Sequence, residues 1–245
     1  IETRALVFLR QKNITQYNYA GRQVLNCGGL IILIPCLIAL LPLSILNLNN
    51  FFVFITIMLS LTFCGLLDDL LGDSSFKGLI KHISALMHGR ISTGIIKAFI
   101  GCLMGFLLAL TRQKKLIPLL MDTILFALTV NLINLLDLRP GRAIKGFVLF
   151  LALTGILTRF TEIHFIIPVL TVLALYINGE MKEVYMLGDA GANLLGGILG
   201  YYWTSILSTT FKGLTLLLLI FLHIFTEFFS LSKVIERNPL LKKID

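Results

Sequence analysis

The stretch "FFVFITIMLSLTFCGLLDDLLGD", Phe51 to Asp73, carries no charge until it reaches two adjacent aspartates, Asp68 and Asp69. Its apolar part approaches what a helix needs to cross a bilayer, roughly 20 residues rising about 1.5 Å each through a core about 30 Å thick. Read as a membrane span, the segment ends on two carboxylates at a helix C-terminus, where the backbone dipole is already negative. Something positive should offset them. A divalent cation would serve, as would Lys77 and Lys81 in the next loop; the plainer reading is a solvated helix end at the membrane boundary.

The rest of the chain follows the same pattern. Its 245 residues are 57% hydrophobic and only 14% charged, and its mean hydropathy is +0.91. A soluble domain of this size could not hide so much apolar mass. Eight windows qualify as spans: 25–48, 51–67, 91–110, 116–136, 143–157, 164–177, 190–207 and 211–229. The expectation is an all-α, polytopic integral membrane protein of about eight transmembrane helices, forming one domain over 1–245. Residues 1–24 are polar, without a signal-peptide pattern. Because the chain starts at Ile1 rather than a methionine, a preceding segment with room for another helix is expected. Cys27, Cys36, Cys64 and Cys102 lie in or beside apolar segments without metal-like spacing, so they read as small buried hydrophobes.

Eight crossings sort the polar segments into two alternating sets. The set made of 1–24, 68–90, 137–145, 178–189 and the tail from Ser230 holds 15 of the 21 lysines and arginines. The positive-inside rule places that set in the cytoplasm. The net charge of +8 then serves mainly to anchor the chain to anionic lipid, with no nucleic-acid partner implied. Of the 13 acidic residues, only Asp122 and Glu162 fall clearly on the other side.

Two further clusters share that face. In "NLINLLDLRPGRA", Asn131 to Ala143, the residues Asn131, Asn134 and Asp137 recur every three positions and so share roughly one helix face. Two carboxamides and a carboxylate can coordinate Mg²⁺ and bind a ligand; after the break at Pro140-Gly141, Arg139 and Arg142 can pair with phosphate. Polar contacts between helices would explain the asparagines but not the charges beside them. In "MLGDAGANLLGG", Met186 to Gly197, Asp189 opens a helix between Gly188 and Gly191. It can hold a metal there while neighbouring amides meet phosphate, or it can be an ordinary N-cap.

Together these motifs resemble those of the polyprenyl-phosphate N-acetylhexosamine-1-phosphate transferases, the family that includes phospho-N-acetylmuramoyl-pentapeptide transferase and the undecaprenyl-phosphate N-acetylglucosaminyl 1-phosphate transferases. "LLDDLLGD" resembles the family's aspartate pair, "NLINLLDLRPGRA" its Asn-x-x-Asn-x-x-Asp segment, "LGDAGANLLGG" its Gly-Asp-x-Gly segment and "FKGLIKHISAL" its basic loop. The resemblance implies transfer of a sugar 1-phosphate from a UDP-sugar to undecaprenyl phosphate at the cytoplasmic face of a bacterial cell membrane, in peptidoglycan or related cell-wall biogenesis. It implies Asn134 and Asp189 as Mg²⁺ ligands and Asp68, Asp69 and Asp137 as catalytic carboxylates. Asn131, Asn134, Lys77, Lys81, Arg139 and Arg142 would then bind substrate, with polyprenyl phosphate and a UDP-sugar as partners and a homodimer as a possible assembly. Two departures stand beside it. The family's histidine-rich motif is missing before the C-terminus; His82 and His88 fall in the first loop, His164 outside, and His223 four residues before Glu227 in the last span. "NYAGRQVLNCGG" has Ala20-Gly21 and Leu25-Asn26 where the family commonly has Arg-Gly and Pro-Thr. A non-catalytic relative that binds polyprenyl phosphate is one alternative, and a membrane transporter another.

Overall fold

The computed structural model describes residues 14–45, 48–72, 87–89, 92–161, 163–239 and 242. It is that of an all-α, multi-pass membrane protein. Its helices are α1 (Gly28–Leu40), α2 (Leu48–Leu71), α3 (Thr93–Arg112), α4 (Leu116–Leu136), α5 (Arg142–Thr158), α6 (Ile166–Met181), α7 (Gly188–Ile206), α8 (Thr209–Phe228) and the short α9 (Leu231–Arg237). Among the described residues, six spans are long and apolar enough to cross a bilayer: Gly28–Ile45, which continues α1 through a 3-10 turn, then α2, α3, α4, Ile163–Met181 and α8. The other two windows are α5, only 17 residues long, and α7, whose apolar side chains are diluted by glycines.

That dilution explains where α7 sits. Every residue from Ala190 to Thr204 is buried, and α1, α2, α4 and α5 pack around the helix. Small residues permit this, because van der Waals packing holds membrane helices together and grows as backbones approach. A methyl group at Gly65 of α2 would strike the backbone of Asp189 and Ala190, and one at Gly196 would strike Val130 of α4. In contrast, α8 buries only Lys212 and Leu219, and its remaining apolar surface faces outward as lipid would require.

The polar segment before α1 contains secondary structure that its composition does not suggest. Strands β1 (Thr15–Tyr17) and β2 (Gln23–Asn26) form an antiparallel hairpin with Thr15 opposite Leu25. The turn is held by Asn18, whose Oδ1 accepts from the amides of Ala20 and Arg22 at 3.0 and 2.9 Å. Strand β2 also pairs in parallel with β3 (Tyr185–Met186), setting Asn26 opposite Met186. This register carries Asn26 to the start of α7. The cysteines are free; Cys27, Cys36 and Cys64 are buried, but Cys102 is exposed on α3, contrary to the expectation of burial for all four.

At the opposite end of the bundle, Asp122 is buried against Lys212, Nζ to Oδ1 2.7 Å, and accepts from Gln113 Nε2 at 2.8 Å. This pairing explains how a lone carboxylate in α4 is tolerated among apolar helices.

Candidate functional site

The C-terminus of α2 meets the N-terminus of α7, and their opposite helix-end charges complement each other. The first amides of a helix have no partner within it, and in α7 carboxylates satisfy them. Asp189 N and Ala190 N donate to Asp69 Oδ1 and Oδ2 at 3.0 and 2.9 Å, and the amide of Gly188 donates to Asp137. Asn26 Nδ2 adds a donor to Asp69 Oδ1 at 2.8 Å. These amides are therefore engaged by the protein itself, which corrects the expectation that they would meet phosphate. Gly188 has φ +66°, and a methyl group there would collide with Asn26 Oδ1; both conditions require glycine.

Asp189 occupies the first turn of α7 without capping the helix. Its carboxylate accepts from Lys97 Nζ at 2.6 Å, and the same ammonium donates to Asp68 Oδ2 at 2.8 Å. The side chain of Asn134 also hydrogen-bonds Asp189. Lys97 thus provides the counter-charge sought for the α2 carboxylates. Sequence reading did not single it out. Its signal was nevertheless present, since an ionisable residue inside an apolar helix marks a candidate site by default.

Asp69, Asn134, Asp137, Arg139, Glu180 and Asp189 line one cavity of about 500 Å³, whose outer wall includes Tyr17, Tyr19, Glu183 and Tyr185. Arg139 lies 4.3 Å over the Tyr19 ring and pairs with Glu236 of α9 at 2.7 Å. Asp137, which follows the last turn of α4, has its carboxyl held well above the usual range by burial and by the negative charges of Glu180, Asp189 and Asp69.

The remaining expected site residues are elsewhere. Asn131 is exposed and is not among the lining residues. Asn134 and Asp137 do line the cavity, so the stripe of three reaches it only in part. Asp68 lies behind Lys97, outside the lining. Arg142 is buried, with Nη1 donating to Ser232 of α9 at 3.0 Å. Lys77 and Lys81 lie outside the described residues. Glu180 and Asn26, which sequence reading did not single out, do adjoin the site.

Among the described residues, no three His, Cys, Asp or Glu side chains stand close enough to hold a metal by themselves. Mg²⁺ commonly takes one or two protein ligands and completes its shell with substrate phosphate and water. Asp189 and Asn134 supply hard oxygen donors of that kind. Comparison with known proteins gives no match to a family model, a curated protein or a solved structure.

Proposed function

We propose that the protein is a phosphoglycosyltransferase that moves a sugar 1-phosphate from a UDP-N-acetylhexosamine to undecaprenyl phosphate at the inner face of a bacterial cell membrane. The observation that carries this reading is that Asp69, Asn134, Asp137 and Asp189, drawn from three separate segments, line one cavity, with Lys97 bridging Asp68 and Asp189 behind them. The motif resemblance, carried by the same residues, supports it as well.

In this reaction an oxygen of the lipid phosphate attacks the sugar-bearing phosphorus of the donor. The bond from that phosphorus to the bridging oxygen breaks, and UMP leaves with the oxygen. Phosphoryl transfer needs in-line positioning and neutralised charge more than a strong base, and a phosphate monoester with a second pKa of about 6 is largely ionised at neutral pH. Asp189 and Asn134 would hold Mg²⁺, which when bound supplies charge neutralisation to the diphosphate. Lys97 orients Asp189 and presents positive charge beside it. Both oxygens of Asp69 already accept hydrogen bonds, which suits positioning the start of α7 better than removing a proton. Asp137 supports the metal-holding end through its neighbours.

The test is UMP release by purified protein given Mg²⁺, undecaprenyl phosphate and a panel of UDP-N-acetylhexosamines. Turnover with at least one donor is expected. Well-folded protein that turns over none of them would refute the proposal.

A further inference from the structure

Among the described residues, Arg139 is the only cationic side chain that lines the cavity, and the reaction above gives it no part. Two contacts fix it. Its guanidinium lies 4.3 Å over the ring of Tyr19, and the Tyr19 hydroxyl donates to Glu183 Oε1 at 3.1 Å. Glu183 Oε2 also accepts from Asn18 Nδ2 at 2.9 Å and from Arg22 Nη1 at 3.1 Å. The hairpin turn that carries Tyr19 is thus braced from the segment after α6. Stacking on a ring uses the face of a guanidinium and leaves the N–H groups along its edge to bind something else.

One of those edge positions is taken. Arg139 Nη2 donates to Glu236 Oε1 of α9 at 2.7 Å, and the rest of the fork makes no hydrogen bond to the described residues. The pair is open to water, with the Arg139 and Glu236 side chains 34% and 50% exposed. Exposed ion pairs of this kind are weak. A phosphate matches the guanidinium fork as a carboxylate does, and a phosphate monoester brings about a second negative charge. Resting on the reading of the cavity as a site for phosphorylated substrates, we propose that Glu236 is a placeholder at Arg139. A substrate phosphate takes its position, so the C-terminal helix competes with substrate for the one cation in the lining. Arg142 Nη1 keeps its bond to Ser232 Oγ at 3.0 Å, so α9 loosens around Glu236 and stays tethered near its start. The phosphate comes from the diphosphate of the nucleotide donor or from the lipid acceptor.

Glu236→Gln and Arg139→Gln separate these roles. Dissociation constants with Mg²⁺ are measured in detergent for wild type, E236Q, R139Q and the double variant, with UDP and undecaprenyl phosphate as probes. E236Q should bind at least one probe about 1.5- to 5-fold more tightly, the scale of an exposed ion pair. Response to UDP identifies the donor as the source, and response to undecaprenyl phosphate the lipid. R139Q should weaken the responding probe by about 10- to 100-fold, the scale of a hydrogen bond to a charged group. In the R139Q background E236Q should change nothing, because no cation is left to withhold. Unchanged or weaker binding by E236Q would overturn the inference alone and leave Glu236 as a brace for Arg139. A gain that persists in the double variant would overturn it too, since relief of negative charge would then act without Arg139. Binding of neither probe by the wild type would overturn the phosphate reading and this inference with it. Should R139Q fail to fold, amide hydrogen exchange in α9 of the wild type decides: saturation with the responding probe should speed it around Glu236, and unchanged or slower exchange would contradict the displacement.

Discussion

Asp137 sits among carboxylates of its own sign, and the Gly188 amide offsets part of its charge. Burial and those neighbours hold its carboxyl well above the ordinary range, so the folded state keeps a proton that the unfolded chain would release. The resulting stability is fully present below the unfolded value of about 3.9 and is lost as pH rises toward the raised folded value. Asp137→Asn cannot ionise. Its melting temperature relative to wild type should therefore climb as pH is raised from about 4 to 8, as thermal unfolding in detergent would show. A difference that stays constant with pH would contradict this account. Lys97 works in the opposite direction, by joining Asp68 to Asp189. Without it two partly buried carboxylates would lose their shared counter-charge, which explains how a cation is tolerated inside an apolar helix.

Among the elements, the contact of α2 with α7 positions everything else. Gly65 lets the two backbones touch one turn before Asp69, and this closeness allows the α7 amides to reach the Asp69 carboxylate. Gly65→Ala should therefore lower stability by about 1–3 kcal/mol, the usual cost of overpacking. Gly213→Ala in α8, where an added methyl meets nothing within 4 Å, should leave the melting temperature unchanged. Equal effects of the two substitutions would show that the α2–α7 approach does not matter. The helices were legible because uninterrupted apolar runs announce spans directly. The hairpin β1–β2 was not, since its strands are only three and four residues long and β2 gains its place by pairing with β3, more than 150 residues along the chain. The Asn131–Asp137 stripe is gathered at the cavity only in part: Asn134 and Asp137 line it, Asp137 from just beyond the helix end at Leu136, and Asn131 is exposed.

At the scale of the whole molecule, apolar helices bring three acidic segments to one end of a bundle built around α7. The acidic residues that form the site were mostly legible, because carboxylates and carboxamides beside apolar runs are costly and so carry information. Their counter-charges were not. Lys97 and the α7 amides act across helix contacts that no local spacing encodes. The account's central claim is that residues lining the cavity carry the reaction whereas an equally suggestive residue off the cavity does not. The direct measurement is the rate of UMP release by Asp69→Asn, Asn134→Ala, Asp189→Asn and Asn131→Ala proteins under identical conditions. The first three should each fall by about 100-fold or more, the scale of losing a positioned electrostatic group, and Asn131→Ala should stay near the wild-type rate. Asn131→Ala as damaging as the others, or full activity in Asp189→Asn, would contradict it.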